Sequence, residues 1–262
     1  MVFDPRTSLR ELEAPPVLHE GDAQWSVKLL RRLLALFGYG PPAWLDPALP
    51  VLAEFDNELG ILVGAFQIRC GLDPTGVVDA ATWQAFLEQA PPGGTRLVDG
   101  RLAIEMRIVE VALAAEARSI REHGANRGAT VEMIQRHAGT ASAVPWCVAF
   151  AWAVVDLAYF LEQELPPQLG QAQKLSSSAL VNWAREHARL HEEPAEARPG
   201  DLIVLRGGNT GFFHTALTVA LPREGFVATV EGNTNEGGSA EGDGIYARRR
   251  RVGREHCVFV RL

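Results

Sequence analysis

The chain has 262 residues, 47% of them hydrophobic and 22% charged, with 25 Gly and 16 Pro. That composition excludes the disordered and fibrous classes and leaves room for one large domain or two modest ones. A formal net charge of −7 excludes a general nucleic-acid binder, because sequence-independent phosphate binding needs a clear excess of Lys and Arg.

Three cysteines, Cys70, Cys147 and Cys257, at wide and irregular spacing make neither a disulfide framework nor a zinc ribbon, so at least one thiol stays unpaired within a monomer. The segment from Met1 to Glu20 carries Asp4, Pro5, Arg6, Glu11, Glu13, Pro15 and Pro16 and lacks the uninterrupted apolar core of a signal peptide. With no apolar stretch of ~20 residues either, the expectation is synthesis in the cytoplasm without a standard signal peptide.

From Ala23 to Phe37, Trp25, Leu29, Leu30, Leu33, Leu34 and Phe37 recur at helical spacing, with Gly38 and Gly40 as the stop. A Pro-rich break follows from Pro41 to Pro50. Val51 to Ile68 is predicted as a second helical stretch and Asp79 to Leu87 as a third, with Asp79 as N-cap. These predict a small three-helix bundle over residues 18–90. Ala90 to Asp99, with Pro91, Pro92, Gly93 and Gly94, has linker composition, which predicts a linker at 91–100 and a second domain at 101–262.

In that second domain helical patterns run over Leu102 to Glu122, Val131 to His137 and Trp146 to Leu161, the last apolar enough to be buried. After Pro199 the pattern changes to short, turn-bounded stretches: Asp201 to Leu205, Phe212 to Leu221, Gly225 to Glu231, Gly244 to Arg250 and Cys257 to Leu262. Helices first and an antiparallel sheet afterwards predict an α+β domain. Cys257 reads as core of the terminal strand. The run Arg248 to Arg251 reads as a solvated strand end, or as a patch for an anionic polymer such as a wall glycan.

Cys147 follows Pro145 and Trp146 at the start of the apolar helix. Unpaired backbone N–H groups and the helix dipole there favour a thiolate. A thiol needs such help, or a neighbouring imidazole, to act as a nucleophile near neutral pH. Phe212 to Leu221 and Gly225 to Glu231 read as a hairpin centred between Pro222 and Arg223. Opposed residues in an unbulged antiparallel pair have a constant sum of numbers. That register sets His214 opposite Glu231 and Phe212 opposite Asn233. A carboxylate could then orient the imidazole while its other nitrogen faces a nucleophile.

Two further groupings are weaker. His187 and His191 stand four apart on a possible helix, but no third metal ligand follows at a familiar spacing and HExxH is absent. Glu241 and Asp243, within Gly237 to Gly244, read as a turn and not as an EF-hand loop.

Val144 to Phe150 (VPWCVAF), Pro199 to Leu205 (PGDLIVL) with Phe213 to Val219 (FHTALTV), and Val230 to Asn235 (VEGNTN) together resemble the CHAP domains (cysteine, histidine-dependent amidohydrolase/peptidase) of the NlpC/P60-like superfamily. The resemblance implies a papain-like fold with Cys147 as nucleophile, His214 as base, Glu231 as the group orienting it, and Asn233 as a polar residue of the site, orienting or near the oxyanion. It departs from that family at Phe213, where Gly is frequent. Phe66, Gln67, Gly71, Leu72, Gly76, Val77, Val78, Asp79, Thr82 and Trp83 resemble the FQ…GL…DG…TW pattern of three-helix peptidoglycan-binding domains, with Thr75 in place of the usual Asp and an insertion from Pro41 to Asn57. Trp83, Phe66 and Leu72 also fit as plain core residues.

Taken together, the resemblances imply a peptidoglycan hydrolase that cuts an amide bond of the wall peptide by a Cys-His-Glu mechanism, with no metal or organic cofactor. The alternative is a non-catalytic wall-binding or scaffolding protein. Action on the wall without a signal peptide implies a phage endolysin released through a holin, or an antibacterial effector injected by a secretion system. The acidic balance leans to the effector, whose partners besides peptidoglycan would be a cognate immunity protein and a secretion-system component.

Overall fold

In the computed structural model of the chain the described residues are 5–46, 49–89, 104–162, 164–207, 211–239 and 241–262. The chain divides into two compact units, Met1–Leu102 and Ala103–Leu262. The expected linker at 91–100 lies outside the described residues.

The first unit contains helices α1 (Pro5–Arg10), α2 (Trp25–Leu36), α3 (Asn57–Arg69) and α4 (Ala80–Glu88), with a 3₁₀ turn at Pro42–Leu45. Helix α1 has no counterpart in the sequence reading; Leu9 anchors it in the core. Helix α3 starts six residues later than predicted. Val51 to Phe55 is instead pinned as extended chain, with Phe55 N–H donating to the Asp22 carbonyl at 2.8 Å and Ala23 bridged to Glu54. Asp56 then caps the helix by accepting from Leu59 N at 2.7 Å. Asp79 caps α4 in the same way through Thr82 N at 2.9 Å.

The core of this unit is aromatic: Phe66 and Phe86 stack at 4.0 Å and Phe37 meets both edge-on. Gln67 explains the polar members of the predicted pattern. Buried beside Phe66, it accepts from Gly76 N at 2.9 Å and donates to the Val77 carbonyl at 2.8 Å and Thr82 Oγ1 at 2.9 Å. One amide thereby ties the turn at 75–77 to α4 and satisfies polar groups that burial would otherwise penalise. Trp83 is buried, with its indole N–H on the Pro16 carbonyl, whereas Trp25 is exposed and Leu72 only half-buried.

The second unit is α+β. Its helices are α5 (Ile104–Ala117), α6 (Ala129–His137), α7 (Cys147–Leu161), α8 (Gln171–Leu175) and α9 (Ser177–Glu186), and its strands are β1 (Leu190–His191), β2 (Leu202–Arg206), β3 (Phe212–Thr218), β4 (Phe226–Thr234), β5 (Gly244–Arg251) and β6 (Cys257–Val260). They form one antiparallel sheet in the order β1-β6-β2-β3-β4-β5. Helix α5 ends before the predicted Glu122, where Ser119 takes a φ of 51° in the left-handed region that breaks a helix. Helices α8 and α9 and strand β1 had no sequence counterpart.

The β3–β4 register corrects the sequence expectation. Leu217 pairs with Val230 and Thr218 with Thr229, so one step further along the strands Glu231 faces Ala216 and not His214. The turn is made by Glu224 and Gly225, with φ of 53° and 77°, flanked by the mutually bonded Arg223 and Phe226. A two-residue hairpin turn of this type needs positive φ at both central positions. Pro222, locked near −65°, cannot supply one, so the turn forms two residues downstream of it. The ladder itself moves by two and not by four, because the segment between Val219 and Arg223 carries two residues more than the one between Phe226 and Ala228 that it faces; the shift is even, and His214 and Glu231 keep their common face.

His187 and His191 do not share a helix. Helix α9 ends at Glu186, Ala188 takes a φ of 54°, and His191 lies in β1. Among the described residues, no group of three or more His, Cys, Asp or Glu side chains is gathered for a metal, and no helix is long and apolar enough to cross a membrane.

Candidate active site

Helix α7 is apolar on nearly every side, and it packs on β3 and β4 as well as on α5, α6 and α8. Its register against β4 depends on Gly232. A Cβ there would lie 2.7 Å from both Phe150 Cβ and the Trp146 ring, so only glycine lets the first turn of α7 approach between Glu231 and Asn233. Trp146 is fully buried and its indole N–H donates to Glu122 Oε1 at 2.6 Å, while Glu122 Oε2 accepts from Asn126 N at 2.8 Å. Cys147 is thus the first helical residue on a turn fixed from both sides. No side chain caps α7, so its first N–H groups are free to favour an anion.

Cys147 is 5% exposed, and His214 and Glu231 are fully buried. His214 Nε2 lies 3.0 Å from Glu231 Oε2. An ionised carboxylate can only accept, so Nε2 carries the hydrogen and Nδ1 is left for another partner. Nδ1 is buried with no hydrogen bond of regular geometry, and the other side chain interacting with His214 is the Cys147 thiol.

Burial pushes the Cys147 thiol up, but the adjacent imidazole, with backbone groups of Thr215 and Val148, outweighs it and brings the thiol below its ordinary value. Burial likewise lowers His214, yet its interaction with the Cys147 thiol and its hydrogen bond to Glu231, with their charges, raise it to about 9. For Glu231 burial opposes ionisation, and Arg250 and His214 reverse this and hold it at about 2. The three shifts agree in sense: each favours the charged form of its group in the presence of the other two.

Glu231 has two partners the sequence reading missed. Thr229 Oγ1 donates to Oε1 at 2.6 Å. Arg250 engages both carboxylate oxygens, through Nε at 2.6 Å and through Nη2. The basic run is therefore split by strand alternation: Arg249 and Arg251 are exposed, whereas Arg248 and Arg250 are partly buried. Arg250 supports Glu231, and Arg248 bonds the Asn235 carbonyl and stacks on Tyr246. Period-2 alternation over four arginines was the available signal, since two of the four must share a face.

Asn233 is 1% exposed with a φ of 57°, at the irregularity of the β4–β5 pairing between Glu231 and Thr234. Asn is among the few residues that take this conformation readily. Phe213, next to His214, is 47% exposed. Asp243 accepts from the Tyr246 hydroxyl at 2.8 Å, and Cys257 is buried in β6. Structure thus gathers Cys147, His214 and Glu231 with Asn233 on the same strand as Glu231, and leaves His187, His191, Glu241 and Cys257 apart.

Residues 25–86 match the family model of the putative peptidoglycan binding domain. The match covers α2 to α4 and supports association with the cell wall, with peptidoglycan as partner. No curated protein and no solved structure matches the chain significantly.

Proposed function

We propose that the protein is a cysteine amidohydrolase or peptidase of peptidoglycan, with a papain-like, CHAP-type domain in the second unit and a wall-binding domain in the first. The observation that carries this reading is the buried chain Cys147–His214–Glu231, with the thiol at the uncapped start of α7 and the imidazole Nδ1 turned away from the carboxylate. It stands in a chain whose residues 25–86 match a peptidoglycan-binding family.

In the reaction, the Cys147 thiolate attacks an amide carbon of the wall peptide and forms a tetrahedral intermediate. Its collapse breaks the C–N bond, with the His214 imidazolium giving its proton to the leaving amine. Neutral His214 then takes a proton from water, whose oxygen displaces the thiolate from the acyl-enzyme. Glu231 stays ionised and keeps Nε2–H in place throughout, as the third member of a triad does. First-turn N–H groups of α7 would stabilise the oxyanion, with Asn233 as a further polar residue of the site. The chain carries out this chemistry without metal or cofactor.

Delivery to the wall follows the sequence expectation of a secreted antibacterial effector, with a phage endolysin as the other route; an effector would travel with a cognate immunity protein.

The test is digestion of purified sacculi by the wild type and by Cys147→Ala, with new termini read by mass spectrometry. Cleavage by the wild type alone supports the proposal and names the bond. Binding of sacculi by both without cleavage by either would leave a wall-binding protein.

A further inference from the structure

Glu231 is a fully buried carboxylate held by three side chains from three strands. Thr229 donates from two residues back on β4, Arg250 reaches across from β5 to both oxygens, and His214 donates from β3. The same guanidinium donates its remaining Nη1 to the Gly238 carbonyl at 3.0 Å. Arg250 therefore joins the loop after β4 to the carboxylate that orients His214. Gly238, with a φ of 77° and a hypothetical Cβ only 3.2 Å from Nη1, gives the guanidinium the room to do so.

A planar guanidinium on both oxygens of one carboxylate fixes its rotation as well as its charge. Without it, Glu231 would keep Thr229 and His214 alone, in a site where burial opposes ionisation. We propose that Arg250 is a positioning residue of the Cys147–His214 pair: by clamping Glu231 it holds Nε2–H in place and turns Nδ1 toward the thiol. This rests on the catalytic reading above, and it adds a residue that neither the resemblance nor the family match assigns.

The charged and titratable groups that bear on the clamp come from each element around it. They are His214 from β3, Arg250 from β5 and Cys147 from α7. Tyr246, paired with Glu231 across the ladder, bonds Asp243 and is stacked by Arg121 and Arg248. Loss of Arg250 removes a cation as well as a clamp. By charge alone this would favour the imidazolium. The clamp predicts the opposite dominant effect, because an unclamped Glu231 rotates or takes up a proton, and the imidazolium–thiolate pair loses its support.

The experiment follows iodoacetamide alkylation of Cys147 in the full-length protein, peptide by peptide, from acid to alkaline pH. The variants are wild type, Arg250→Gln, Arg250→Lys and, as control, the exposed Arg249→Gln. In Arg250→Gln the midpoint moves up by about one pH unit or more and the rate at neutral pH falls ~10-fold. Arg250→Lys recovers part of both, and Arg249→Gln matches the wild type. Circular dichroism checks the fold, and Thr229→Val, which removes a single donor, gives a smaller shift in the same sense if Arg250→Gln does not fold. A wild-type profile in folded Arg250→Gln, or a midpoint moved down, overturns the proposal while leaving the catalytic reading in place. An ordinary thiol profile in the wild type overturns both.

Discussion

His214 and Glu231 meet side chain to side chain at 3.0 Å although they are not opposed in the ladder: the strand pairing sets Glu231 opposite Ala216. They are diagonal neighbours on one face, a relation that long side chains bridge. The carboxylate is thereby left free on its other flank for Arg250 and Thr229.

Replacing the imidazole should remove the acid-base function without unfolding the domain. His214→Asn is expected to lower the rate of sacculus digestion by ~10²- to 10⁴-fold, the usual contribution of a positioned proton-transfer group. Turbidity loss of a sacculus suspension measures it, and a loss below tenfold would remove His214 from the chemistry.

Activity should follow the ion pair. The thiol lies below its ordinary value and His214 is raised to about 9. The protonated imidazole beside the thiol therefore persists through neutral pH and is lost as pH rises through about 9. Hydrolysis should show an alkaline limb there, absent in simple binding to sacculi. An alkaline limb already complete by neutral pH would contradict the geometry.

The same shifts fix the direction of stability changes. Glu231 is lowered from 4.5 to about 2, so its contribution is full above 4.5 and is lost as pH falls through about 2. His214 is raised from 6.5 to about 9. Its contribution is full below 6.5 and is lost as pH rises through about 9. Glu231→Gln should flatten the acid limb of a urea midpoint-against-pH curve, and an unchanged acid limb would show that Glu231 does not carry it.

Gly232→Ala forces a methyl group against Phe150 and Trp146. Overpacking of this kind costs roughly 1 to 3 kcal/mol. The variant should unfold at lower urea than wild type by tryptophan fluorescence, whereas Gly225→Ala, with open space around its Cβ position and a positive φ, should act only through its turn.

In the first unit, Gln67→Leu keeps the bulk but strands Gly76 N and leaves the Val77 carbonyl only the longer bonds from the Thr75 and Thr82 hydroxyls. Unsatisfied buried groups cost about 1 to 3 kcal/mol each. Retention of the protein on sacculi should weaken with the loss of this fold, and full retention in a melted first unit would assign wall binding elsewhere.

Local pattern was enough for much of this. The periodicity of Leu29 to Leu34, the Asp79 cap, the apolar run after Cys147 and the short, turn-bounded stretches from Leu202 onward are properties of neighbouring residues, so they were legible without coordinates. So was the shared face of His214 and Glu231, because any even register keeps it. Tertiary structure alone decided the rest. Where the hairpin turns depended on which residues accept positive φ, and Pro222 does not. Which arginines face inward depended on the pairing of β5, and whether α7 reaches β4 depended on one missing Cβ at Gly232. Helix α9 and strand β1 form against partners far along the chain, Ser177 on Thr215 and Leu190 on Val260. Contacts between residues distant in sequence leave no local periodicity, and those contacts supply the clamp on Glu231.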